Sequence, residues 1–168
     1  MIFATVGTQL PFDRMIKSID KWNEKQELRD CFAQVGVGGC ATSSLEFAET
    51  LTPSQFANQI AKCKVIVSHA GMGTILTALQ LGKPIIIMPR LSSLGEHRND
   101  HQLATVENLR GISGIYVADG EKEMMEALDQ VQSLNGGDRF SPHAQDALLK
   151  AVSNFVGGMW AGEKRYVH

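Results

Sequence analysis

Apolar residues follow two rhythms along this chain, and they alternate. Short continuous runs recur at Ile2–Val6, Cys31–Val37, Lys64–Ser68 and Pro84–Met88, with briefer ones at Leu45–Ala48 and Ile112–Val117. Runs of this length without polar alternation read as strands buried on both faces. Between them the spacing changes to that of a helix. Met15, Ile16, Ile19 and Trp22 share one face after a candidate cap at Asp13, with Lys17, Asp20, Lys21 and Glu24 on the others. Thr52-Pro53 opens a second helix carrying Phe56 and Ile60, with threonine as cap and proline in the first turn. Ile75, Leu76 and Leu79 continue a third, stopped by Gly82; His101–Leu109 and Glu121–Val131 give two more. Ser141-Pro142 starts a last helix whose Ala144, Ala147, Leu148, Ala151, Val152 and Phe155 share a face. This βαβα alternation predicts an α/β fold, a Rossmann-like doubly wound parallel sheet. No repeat or linker divides residues 1–168, so one domain is expected, with a C-terminal helix and tail from about 141.

In such sheets ligands bind beyond the carboxyl ends of the strands. Four post-strand loops therefore matter: Gly7–Phe12, Gly36–Cys40, Ser68–Thr74 and Pro89–Gln102. The third is the most telling. Ser68-His69-Ala70-Gly71-Met72-Gly73-Thr74 joins an apolar strand to a helix through two glycines. A helix start offers unpaired N–H groups and the positive end of the dipole, which suits a phosphate or diphosphate. His69 and Thr74 add side-chain donors; a plain strand-to-helix turn is the alternative reading.

Composition narrows the field. With 43% hydrophobic residues, a core can form, and a net charge of -2 gives no basic field for nucleic acid. No apolar stretch approaches a membrane-spanning length, and Met1 leads straight into a strand without a signal-like region, so a cytosolic start is expected. Cys31, Cys40 and Cys63 are odd in number and unpatterned, which fits reduced thiols.

Other chemistries find less support. The loop after the first strand lacks G-x-G-x-x-G, disfavouring NAD, and there is no P-loop lysine motif or Gly-x-Ser-x-Gly elbow. Gly36-Val37-Gly38-Gly39 reads as a flexible turn. His97 and His101, four apart, could face one metal on a helix, but the order is not His-Glu-x-x-His and no third ligand is obvious. A hydrogen-bonding loop for a polyhydroxylated ligand fits Asp100, His101 and Gln102 better, a solvated loop being the alternative. Arg90 and Arg98 are either phosphate partners or surface charges. Trp22 reads as a packing residue and Trp160 as part of the tail.

Four segments together resemble the C-terminal domain of the family 28 glycosyltransferases, the nucleotide-sugar-binding half of a GT-B enzyme. They are Val6-Gly7-Thr8, Val67–Thr74, Leu81-Gly82-Lys83-Pro84 and Asn99-Asp100-His101-Gln102-Leu103-Ala104. As a free-standing half, the chain is most similar to the small PssE-like subunits of two-part glycosyltransferases. The resemblance implies that Gly7, Thr8, His69, Gly71, Met72, Gly73 and Thr74 hold the donor diphosphate. It implies that Asn99, Asp100, His101 and Gln102 meet the donor sugar, and that no metal or cofactor is used. Thr77 stands where many members carry a glutamate that binds the ribose hydroxyls, so the ribose contact is open. The implied function is the donor-binding subunit of an inverting UDP-sugar glycosyltransferase in polysaccharide synthesis. Its partner would be a PssD-like, membrane-anchored subunit supplying the lipid-linked acceptor site and the catalytic base at the inner face of the membrane. A non-catalytic nucleotide-sugar-binding module is the alternative, and a metal-dependent hydrolase at His97 and His101 a distant third.

Overall fold

A computed structural model describes residues 1–26, 30–137 and 153. Six strands, β1 (Ile2–Thr5), β2 (Cys31–Gln34), β3 (Glu46–Ala48), β4 (Val65–His69), β5 (Ile85–Met88) and β6 (Ile115–Val117), alternate with five α-helices. The helices are α1 (Asp13–Asn23), α2 (Pro53–Lys62), α3 (Met72–Gln80), α4 (His101–Leu109) and α5 (Glu121–Asp129). Every strand pair is parallel, in the order β3-β2-β1-β4-β5-β6.

The pleat divides the core in two. On one face Ala4, Val67, Ile86 and Met88 pack against Met15, Ile16 and Ile19 of α1 and Met124 and Leu128 of α5. On the other, Phe3, Ile66, Ile85 and Ile87 meet Ile60 of α2, Ile75 and Leu79 of α3, and Val106 and Leu109 of α4. A strand covered on both faces has no polar side to show, which is why these strands read as continuous apolar runs. Strand order reverses beside β1. The chain leaves β1 for α1 on the first face and leaves β4 for α3 on the second, so the two connections part and open a crevice.

Some boundaries move. β2 ends at Gln34 because Gly39 N–H closes a turn onto the Gly36 carbonyl, and β6 begins at Ile115 because that residue's N–H bonds back to Ile112. α5 stops at Asp129, short of Val131. Asp13 is not the cap of α1: Phe12 holds that position, and the Asp13 carboxylate accepts from Cys40 N–H (3.0 Å). It thereby ties α1 to the loop after β2. Trp22 is a packing residue, as expected, and its indole N–H donates to Asp129 of α5 (2.8 Å). The helix expected from Ser141 and the tail with Trp160 lie outside the described residues.

α2 forms as its sequence dictates. The Thr52 hydroxyl accepts from Gln55 N–H, the Gln55 side chain accepts from Thr52 N–H, and Pro53 opens the first turn. Replacing Thr52 by Ala removes one side of this capping box, and urea denaturation should show a loss of about 1 kcal/mol.

A donor-lined cleft at the carboxyl edge of the sheet

A cleft of about 540 Å³ opens where the connections after β1 and β4 part. Its lining gathers Gly7 and Thr8 after β1, His69, Gly71, Gly73 and Thr74 after β4, Thr77 of α3, and His101 and Gln102 of α4. Nine of the expected site residues thus share one cavity. Met72, Asn99 and Asp100 do not line it. The Asp100 carboxylate instead accepts from Ser92 N–H (2.8 Å), a bond that holds its pKa below the usual carboxylate range, and the Asn99 side-chain oxygen meets Nδ1 of His101.

The start of α3 is bare. Gly71 stands at its cap with no side-chain hydrogen bond, and the first turn holds no acidic residue. Among the described residues no acceptor meets the N–H groups of Met72, Gly73 or Thr74. The contrast with α2 is local: there the Thr52 side chain takes the Gln55 N–H, while the first turn of α3 presents its donors to the cleft.

The glycines around this turn do two different jobs. A Cβ on Gly71 would lie 2.2 Å from Nε2 of His69, and one on Gly7 would lie 2.7 Å from its Cε1. Gly7 also has a φ of +78°. These two glycines make room for the imidazole. Gly73 is different: a Cβ there meets nothing within 4 Å.

Arg90 is the largest surprise. It is neither exposed nor free for a phosphate: only 2% of it is accessible. Its guanidinium donates to the carbonyls of Val6 (2.9 Å), Leu10 (2.6 Å) and Pro11 (2.6 Å) and, more weakly, Glu96 (3.3 Å). It also lies 4.8 Å from the Phe12 ring centroid. Arg90 therefore shapes the loop carrying Gly7 and Thr8 from beneath. The nearest acid, Glu96, is taken up by Arg14, whose Nε and Nη2 reach its two oxygens at 2.7 and 2.8 Å. Carbonyls, not a carboxylate, bond the Arg90 guanidinium, and among the described residues neither Asp nor Glu lines the cleft. A sequence signal existed, an arginine two residues beyond a fully apolar strand, but its direction could not be read from spacing.

His97 and His101 meet edge to face, ring centroids 4.5 Å apart, and both line the cleft. No group of three metal-ligating side chains occurs among the described residues. Thr77 also lines the cleft, but its hydroxyl donates to the Gly73 carbonyl of its own helix (2.9 Å). Leu51, Pro53 and Phe56, which sequence reasoning did not assign to a site, supply an apolar strip.

Residues 1–135 match the model of the Glycosyltransferase family 28 C-terminal domain. Among solved structures, the chain is similar to the glycotransferase of kitacinnamycin, with a TM-score of 0.54 at 18% identity, covering 91% of this chain and 37% of that one. The likeness is one of fold, to the C-terminal half of GT-B glycosyltransferases. The glycosyltransferase SnogD from Streptomyces nogalater matches with a TM-score of 0.43 at 17% identity, over 82% of this chain and 40% of that one. The chain thus spans less than half the length of either.

His69 titrates far from its ordinary range. Burial first, then the Arg90 charge, push its pKa from 6.5 down to about 4 against a hydrogen bond to the Thr5 backbone. The imidazole is therefore neutral at pH 7. As pH falls from about 6.5 towards 4, the unfolded chain takes up a proton that the folded one refuses. Stability is then lost by at most roughly 1.4 kcal/mol per pH unit. Urea denaturation at pH 7, 6, 5 and 4 should show the wild type losing stability faster than His69→Gln; parallel curves would contradict the assignment.

Proposed function

Because the chain belongs to the Glycosyltransferase family 28 C-terminal domain family, we propose that it is the donor-binding subunit of an inverting hexosyltransferase that uses a UDP-sugar. The observation that carries this reading is the bare start of α3, opening on a cleft that no carboxylate lines among the described residues. In sugar transfer, the acceptor hydroxyl attacks the anomeric carbon and the bond to the diphosphate oxygen breaks. The electron pair stays on the diphosphate. Charge develops there, and fixed donors facing it in a partly dry site lower the barrier.

Each wall has a role in this reading. The first-turn N–H groups of α3 meet the diphosphate, beside a neutral His69 whose one N–H is held by the Thr5 carbonyl. Arg90 adds positive potential from below the Gly7-Thr8 loop. His101 and Gln102 face the sugar, and the apolar strip of Leu51, Pro53 and Phe56 takes the base. Thr77 contributes little to the ribose, since its one proton is committed to Gly73 O.

The proton released by the acceptor needs a base. Among the described residues no carboxylate lines the cleft, and burial together with His97 pushes His101 down as well, so neither His69 nor His101 is a strong acceptor. We assign the base, the lipid-linked acceptor site and the membrane anchor to a PssD-like partner at the cytoplasmic face, in polysaccharide synthesis. Among the described residues no helix is long and apolar enough to cross a membrane. The absence of a carboxylate equally favours a second reading, a nucleotide-sugar-binding module that regulates a synthesis complex without catalysing transfer.

Two measurements separate these readings. Isothermal titration should show UDP binding, and Gly73→Ala should weaken it by roughly tenfold or more, about 1.4 kcal/mol. The same substitution should leave the fold intact and raise helix stability by up to about 1 kcal/mol, because its Cβ fills open space. Unchanged UDP affinity in that variant would refute the diphosphate site. Reconstitution with the partner should then yield transfer; binding without transfer would favour the regulatory module.

A further inference from the structure

Gln34 ends β2 and lines the cleft, yet only 4% of it is accessible. Its carboxamide has a defined orientation. The Thr5 hydroxyl accepts from Gly7 N–H (3.2 Å), so its proton is free to donate, and it does so to Oε1 of Gln34 (2.8 Å). The oxygen of the amide is thus spoken for, and the NH₂ group points the other way. Among the described residues Nε2 has no hydrogen-bond partner, and it is not among the side-chain atoms sealed from solvent. For a residue this buried, the remaining opening is the cleft it lines.

Gln102 repeats the device from the opposite side of the crevice. It is 3% accessible, and Oε1 accepts from Arg90 N–H (3.1 Å). A backbone N–H can only donate, so this amide too must turn its NH₂ away. A buried donor without a partner is costly unless a ligand or water supplies an acceptor. The same cleft is lined by Arg90 and the bare α3 start and, among the described residues, by no side-chain carboxylate.

We propose that Gln34 is a ligand-binding residue of this cleft, its NH₂ donating to a phosphate oxygen of a bound nucleoside diphosphate. The assignment rests on the proposed function above. Thr5 is its positioning residue: through one hydroxyl it fixes both the Gln34 amide and the N–H of Gly7.

The test uses the whole chain and compares UDP with uridine. With ¹⁵N-labelled wild type, saturating UDP should shift the Gln34 side-chain NH₂ resonances, and uridine should not. Gln34→Glu keeps the shape and the Thr5 bond but replaces the donor by an anionic acceptor. It should weaken UDP by roughly tenfold or more while leaving uridine affinity unchanged. Gln34→Met, which adds no charge, should weaken UDP in the same direction with thermal unfolding still cooperative, and serves if the glutamate variant does not fold. Unmoved NH₂ resonances at saturating UDP, or equal losses for UDP and uridine in both variants, would overturn the role of Gln34 and leave the diphosphate site standing. Failure of wild type to bind UDP would overturn both.

Discussion

The cleft depends on a buried cation held by carbonyls. Arg90 has the guanidinium of a salt-bridging residue but bonds the backbone at Val6, Leu10 and Pro11. That choice does two things together. It fixes a loop that has no regular structure of its own, and it leaves the positive charge uncancelled beside the cavity. A carboxylate in the same place would have satisfied the guanidinium equally well and neutralised the wall. Glu96 is close enough to threaten this, but Arg14 and the Leu91 N–H (2.9 Å) occupy its oxygens. The pair is half-sheltered, and its geometry is bidentate, the arrangement in which an Arg–carboxylate contact is strongest.

Burial, and after it the same charge, explain the state of His69. An imidazole packed between Gly7 and Gly71 near a buried arginine cannot keep a proton at neutral pH. Its neutrality is what lets it sit there. A protonated ring would add a second buried cation next to Arg90 and would destabilise the turn that both glycines are shaped to accept. The glycines of this loop therefore answer first to the histidine, and only Gly73 leaves its space to something outside the chain.

Much of this was legible in the sequence. The parallel doubly wound fold follows from apolar runs alternating with helical spacing, and the Thr52-Pro53 helix start was written in residue types whose hydrogen bonds are local. The gathering of Gly7, His69, Gly73 and Gln102 at one edge follows from each loop's place after a strand of a parallel sheet. What escaped were side chains whose partners lie far along the chain. Arg90 reaches back about eighty residues to Val6 and Leu10, Asp13 reaches forward to Cys40, and Thr5 turns Gln34 across two strands. No spacing rule encodes such pairings, because each depends on which loops the sheet brings together. Asp13 shows the limit well: its type is right for a cap, and a tertiary acceptor role took precedence over the local one.

The donors of this wall share one further property. Each is oriented by the protein before any ligand arrives. The α3 N–H groups are fixed by the helix, the imidazole by two glycines, the guanidinium by carbonyls, and both amides by bonds to their oxygens. An oxyanion entering such a site meets dipoles that need not reorganise, so little of its binding energy is lost to ordering side chains. The arrangement also sets what the wall cannot do. Aligned donors stabilise a charge that has formed, yet among the described lining residues no carboxylate stands ready to draw a proton from an attacking hydroxyl. On the proposed function, donor stabilisation and proton removal are separated in space, and the cleft is chemically a half: it would hold the leaving group and take its base from an opposing surface.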